Sequence, residues 1–206
     1  DLIVNESTSY IGTLRDLVKP TIQNLSGIEN IDYAVAPERI DPGNTTWHTG
    51  NTPIVAGGVT KWCTTLACAA HGLIVSKVIP VSSPNVAEME KLLENIFRSV
   101  NIALVNELAQ LCDRIGVNIW EVVEAAGTKP FGFMKFAPGL GVGGHCIPID
   151  PIYIFLASSK NLANPISVKG CFNKPKIESN GQVHTSAPAS AAFTICKALR
   201  IDAANI

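Results

Sequence analysis

Cys146 stands at the end of a glycine run. Gly139, Gly141, Gly143 and Gly144 precede it, and Pro148 and Pro151 follow. Glycine admits positive φ and close approach of backbone to a ligand. A thiol at the tip of such a loop can be held exposed beside backbone N–H groups, which stabilise a thiolate or an oxyanion. The chemistry this suits is covalent attack on a carbonyl. The same residues would also suit a structural cysteine in a turn, and local sequence leaves both readings open. Gly139 to Gly144 matches G-x-G-x-x-G as well. That match follows Pro138 rather than a strand, and Pro148 and Pro151 argue against an immediate helix, so it is not read as a dinucleotide fingerprint. His145 beside Cys146 is not read as a protease pair, because adjacent side chains point apart.

Further residues have the right types for such a reaction. Lys91 and Asn95 are four apart in a helical stretch and share a face. They present either an ammonium and an amide to a ligand or an ordinary solvated stripe. Asp150 follows Cys146 by four residues. It suits a general base, a charge partner for Lys91, or the N-cap of a helix over 151–162. Glu38, in Pro37-Glu38-Arg39, and Glu6-Ser7-Thr8 each follow a predicted strand. Open α/β sheets place ligands at such carboxyl ends, although a surface turn explains Glu38 equally well.

These groups need elements to position them. Residues 1–84 alternate strand and helix: Leu2–Asn5, Asp32–Ala36, Pro53–Ala56 and Lys77–Val81 read as strands, Thr13–Leu25 and Thr60–His71 as helices. Gly27 and Gly72 end the two helices. This rhythm predicts part of a doubly wound sheet. Over 85–126 apolar residues recur at the helical period, with Asn85/Glu88 and Asn118/Glu121 as capping boxes and Gly116 and Gly127 as stops. Residues 128–151 read as a long ordered loop, 152–162 and 188–200 as short helices, and 164–187 as polar and turn-rich.

Composition narrows the class. The chain has 206 residues, a 47% hydrophobic fraction and a net charge of −1. That is enough for one domain or two small ones, without the basic surplus of a nucleic-acid or membrane-surface binder. No apolar run reaches the roughly 20 residues of a membrane span, and no signal peptide opens the chain. The six cysteines form no CxxC pair, and the His residues show no zinc-like spacing with them, so no metal is expected. Reduced thiols in a cytoplasmic protein are expected, with Cys63, Cys68 and Cys112 as buried small hydrophobes.

Several stretches occur in a telling order: Glu-Ser-Thr at 6–8, Pro-Glu-Arg-Ile-Asp-Pro-Gly-Asn at 37–44, Ala-Glu-Met-Glu-Lys-Leu-Leu-Glu-Asn at 87–95, Asn-Ile-Ala-Leu-Val-Asn-Glu-Leu-Ala at 101–109 and Gly-Gly-His-Cys-Ile-Pro-Ile-Asp-Pro at 143–151. The series resembles the UDP-glucose/GDP-mannose dehydrogenase family over about residues 1–157. Thr128 to Met134 looks most like the branch acting on UDP-N-acetylglucosamine. The resemblance implies an α/β fold: residues 1–84 as the C-terminal part of a Rossmann-like NAD-binding domain, 85–163 as a helical central dimerisation domain, and 164–206 as an unassigned tail. It implies NAD-dependent oxidation of a sugar C6 alcohol to the acid, with a UDP-sugar as substrate and a homodimer formed through the 85–126 helices. Cys146 would carry a thiohemiacetal and then a thioester. Lys91 would stabilise negative charge on the C6 oxygen, and Asp150 would activate water. Glu38 and Thr8 would handle protons or water near the nicotinamide, so they also count as cofactor-binding. Asn95, Lys135, Phe136, Gly139, Gly141 and Gly143 would hold the substrate.

The sequence departs from the family in three ways. The family's N-terminal fingerprint half is not seen, Leu140 stands where related loops have Pro, and residues after about 158 do not follow the family pattern. Little activity is therefore expected of these 206 residues alone. A non-catalytic dimerisation module or gene relic, and a part of an intact enzyme, are the other readings.

Overall fold

The computed structural model describes residues 1–41, 43–142, 147, 149–151, 153–154, 176–177 and 183–184. The chain divides into two compact units, Asp1–Glu94 and Asn95–Ile206.

The first unit holds a four-stranded sheet in the order β1 (Leu2–Asn5), β2 (Asp32–Val35), β3 (Ile54–Gly58), β4 (Val78–Pro80). β1 and β2 pair in parallel, Leu2 opposite Asp32, and β3 and β4 pair in parallel, Ile54 opposite Val78. β2 and β3 are antiparallel, with Val35 opposite Gly57. The strand–helix rhythm predicts a parallel pair here. The structure differs because a loop, not a crossover helix, joins these two strands, and a parallel connection needs a crossover.

Side chains alternate across β2. Ala34 and Ala36 pack with Ile54, Ala56 and Ala67 on one face, while Tyr33 and Val35 pack with Leu14, Val55 and Ala87 on the other. Both faces are covered, which is why the strands read as nearly continuous apolar runs. Leu14 is fully buried, a contribution of about 2 kcal/mol by its apolar area alone. Gly58 ends β3 where α2 (Lys61–His71) begins, and a Cβ there would lie 2.3 Å from the Thr64 nitrogen. Only glycine lets strand and helix meet this closely. Thr60 caps α2 by accepting from the Cys63 N–H.

The helix expected over Thr13–Leu25 is a π turn at Leu14–Val18 followed by α1 (Lys19–Ser26). Pro20 offers no N–H and its ring crowds the carbonyl four residues back, so the chain widens there. Gly27 ends α1 with φ 68°.

α3 runs from Pro84 to Ile115, its first turns in the first unit and the rest in the second. The Asn85/Glu88 capping box does not form. Pro84 starts the helix one residue earlier, and the Ser83 hydroxyl accepts from the Val86 N–H at 3.4 Å. Glu88 instead accepts from the Gly12 N–H at 2.6 Å and the Leu14 N–H at 3.0 Å. Gly116, at φ 73°, closes α3, with the Val117 N–H donating to the Cys112 carbonyl. Asn118 then caps α4 (Ile119–Ala126) through the Trp120 N–H.

Residues 128–142 are loop, as expected. The helical residues that follow reach back to Ile147 and include Asp150 and Pro151. Asp150 is therefore itself helical rather than the N-cap of a helix beginning at residue 151. Lys176–Ile177 pairs antiparallel with Val183–His184. The helix expected over 188–200 lies outside the described residues. Among the described residues no helix is long and apolar enough to cross a membrane.

Candidate active site

In the first unit the candidate residues gather where β1 and β2 end. The Glu38 N–H donates to the Glu6 carbonyl at 3.1 Å, joining the two strand exits. His71, buried at the end of α2, sets Nε2 3.0 Å from the Glu6 carboxylate and Nδ1 2.9 Å from the Ala67 carbonyl. The pair ties the Glu6-Ser7-Thr8 turn to α2. The Thr8 hydroxyl is half-buried and makes no hydrogen bond among the described residues.

Glu38 is exposed, and its carboxylate accepts from the Arg39 N–H at 2.7 Å and the Ile40 N–H at 2.8 Å, capping its own turn. Its carbonyl accepts from the Lys91 ammonium. Lys91 is 9% exposed, so the solvated-stripe reading of this face does not hold. An ammonium has three N–H donors, and among the described residues no carboxylate pairs with this one. A nearly buried cation with spare donors and no counter-ion is suited to an arriving negative charge.

Sequence reasoning missed Arg39. It pairs with Glu90 and, at 2.8 Å, with Glu94, and donates to the Pro53 carbonyl at 3.0 Å. This network fastens the loop after β2 to α3 beside Lys91. Burial, with Glu94 alongside, pushes the Glu90 carboxyl up, against the opposing pull of Arg39. The signal was the spacing of Glu90 and Glu94, one helical turn apart.

In the second unit Asn95 is fully buried. Its amide N–H donates to the Asp150 carboxylate, and its amide oxygen accepts from Arg98 one turn on. Asp150 is 3% exposed. Phe136 stacks edge-on against Phe97, with ring centroids 5.9 Å apart. Lys135 pairs with Glu124, and Lys129 lies over the Phe131 ring at 5.1 Å. The Gly139 N–H donates to the Asn106 side chain at 2.8 Å. Gly141 takes φ 155°. Cys146 and Gly143 lie outside the described residues.

Cys63 is not simply a small hydrophobe. Its thiol donates to Asp32 at 3.3 Å and accepts from the Thr60 hydroxyl at 3.0 Å. Cys112 is buried, while Cys68 is only partly so, and burial pushes its thiol up.

An α/β unit with polar strand exits leads into a long helix that carries a buried lysine and asparagine, and solved UDP-sugar dehydrogenases share this fold. The UDP-glucose/GDP-mannose dehydrogenase family, central domain, matches residues 85–169, and the chain belongs to that family. The match runs past residue 157, where the sequence resemblance alone stops. The UDP-N-acetyl-D-mannosamine dehydrogenase of Pyrococcus horikoshii is 40% identical over 162 residues, covering 77% of this chain and 38% of that protein. The UDP-N-acetyl-D-glucosamine 6-dehydrogenase of Pseudomonas aeruginosa is 39% identical over 158 residues, covering 75% and 37%. A solved structure of the UDP-D-ManNAc dehydrogenase from Pyrococcus horikoshii superposes with a TM-score of 0.70 at 37% identity, covering 81% of this chain and 40% of that one. The chain thus spans about two fifths of the length of the curated relatives it matches.

The fold is α/β, the C-terminal part of a Rossmann-like domain followed by a helical central domain. Dehydrogenases of this family use NAD. The residues at the strand exits of the first unit, with the half-buried Thr8 hydroxyl that makes no hydrogen bond among the described residues, are the ones that would face such a group.

Proposed function

We propose that the protein serves NAD-dependent oxidation of the C6 alcohol of a UDP-sugar to the carboxylate, through a covalent intermediate on Cys146. The observation that carries this is the Lys91 ammonium, nearly buried, with two unused donors and no counter-ion among the described residues. NAD, when bound, accepts a hydride in each of two oxidations. Lys91 holds negative charge on the C6 oxygen while the hydride leaves. The Cys146 thiolate attacks the resulting aldehyde, forming a carbon–sulfur bond and a thiohemiacetal. Loss of a second hydride leaves a thioester. Water, with its proton taken up through Asp150, then releases the acid and restores the thiol. The hydroxyl protons released in the two oxidations would pass to Glu38 and to water held at Thr8, beside the nicotinamide.

Asn95 contributes to substrate binding with the N–H that Asp150 does not use, since an amide nitrogen offers two donors. Gly139, Gly141, Gly143, Lys135 and Phe136 line the sugar and diphosphate. For Lys135 to do so, Glu124 must give way. The substrate is an N-acetylated UDP-hexosamine, and UDP-N-acetylglucosamine is tested first. The loop at 128–134 supports this, as do relatives named for N-acetylglucosamine and N-acetylmannosamine. Residues 1–84 form the cofactor-side domain and 85–163 the central one, which pairs with a second copy through the 85–126 helices, in the cytoplasm.

The test is Cys146→Ser in a form of the enzyme carrying both nucleotide half-sites. It is expected to stall after the first oxidation, with one NADH per substrate at most. Unchanged output of the uronic acid would sink the assignment.

A further inference from the structure

α3 meets the loop that carries Cys146 at two described places. Asn95 donates to Asp150, beyond the cysteine in sequence, and Asn106 accepts from the Gly139 N–H, before it. Both pairs lie within the second unit. Asn95 and Asn106 are about three turns apart on one helix, which returns them to the same face, about 16 Å apart along the axis. The segment between Gly139 and Asp150 is thus tethered at both ends.

We infer that Asn106 is a positioning residue: with Asn95 it forms a two-point clamp that fixes both ends of the glycine loop along one face of α3. The inference deepens the dehydrogenase reading and rests on it for the loop's purpose, though not for the clamp itself. The required chemistry is specific. Asn106 acts through its side-chain oxygen, because its partner is a backbone donor. An aspartate keeps that acceptor and, being charged, strengthens the bond. A leucine keeps the bulk and loses it. Gly139 is exposed, with open space around it, so this hydrogen bond rather than packing holds the residue.

The experiment is hydrogen exchange read by mass spectrometry on the purified 206-residue chain, comparing wild type, Asn106→Leu and Asn106→Asp, with and without UDP-N-acetylglucosamine. Asn106→Leu is expected to speed exchange across 136–142 roughly threefold to tenfold, the factor set by one lost hydrogen bond. α4 should keep its wild-type rates, and Asn106→Asp should restore slow exchange. A leucine variant that exchanges like wild type at 136–142 overturns the clamp, and so does an aspartate variant that fails to rescue while α4 stays protected. If α4 also loosens in the leucine variant, the residue acts on the fold at large and the proposal fails. The nucleotide sugar reports separately. Exchange that responds to Asn106 with or without the sugar supports the clamp independently of the substrate reading.

Discussion

Lys91 carries the sharpest conflict between stability and function in the chain. Its side chain is nearly buried, and its described partner is a neutral carbonyl rather than a carboxylate. Desolvating a cation costs several kcal/mol, and one such hydrogen bond returns about 1.5–3 kcal/mol. The remainder is a cost to the fold that a bound anion would offset. Lys91→Met keeps the stem and removes the charge. The exposed Glu38 turn leaves the freed carbonyl open to water. The variant is therefore expected to melt a few degrees higher, from about 1 kcal/mol of relieved strain. In a form with both nucleotide half-sites it should lose turnover by a hundredfold or more, the scale of removing one oxyanion donor. Thermal melting and NADH production check the two halves. A variant that melts much lower and keeps turnover would make Lys91 an ordinary structural residue.

At the scale of elements, Glu88 holds the start of the π turn against α3. Its buried carboxylate accepts two backbone N–H groups from residues 12–14. Burial pushes the carboxyl up, and those two bonds, which pull it down, do not cancel the effect. The folded state therefore binds this proton more tightly than the unfolded chain, whose glutamates titrate near 4.3. A raised folded value adds stability that is complete below the unfolded value and is lost as pH rises through the folded one. Lowering pH from neutrality toward about 4.5 should thus favour the wild type, relative to its Glu88→Gln variant, in urea midpoints taken across that range. A constant difference between the two midpoints would remove Glu88 from the account. The same residue marks what sequence could not reveal. Helical period located α3, and Asn85 with Glu88 looked like a local cap. Pro84 moved the helix start, and Glu88 turned to a partner across the fold. Local spacing also found Lys91 and Asn95. The Glu90/Glu94 spacing marked a paired acidic site but not that Arg39 fills it, nor that Asn106 has a partner, because those partners lie 51 and 33 residues away. The antiparallel β2–β3 pair escaped for the same reason, since period does not encode which strand lies alongside.

At the scale of the whole molecule, the question is what covers the apolar side chains left on the helices. Leu93, Phe97, Leu104, Leu108, Leu111 and Ile115 are all exposed along α3, and Trp120 and Val122 along α4. Phe97, Leu104, Leu108, Leu111 and Ile115 recur every three, four or seven residues, forming one stripe rather than scattered positions. Soluble monomers rarely leave a continuous patch of this kind open to water. A two-fold pairing of the helices would bury it, and each leucine removed from water contributes on the order of 2 kcal/mol. The chain is therefore expected to run in light scattering at twice its monomer mass. Leu104→Glu with Leu108→Glu places two charges on the stripe. The double variant should run as a monomer while keeping the helical circular dichroism of the wild type, since both positions already face outward within one copy. A wild type that scatters as a monomer at tens of micromolar would mean that the stripe meets something other than a second copy. A double variant that stays dimeric would place the pairing surface elsewhere on the helices.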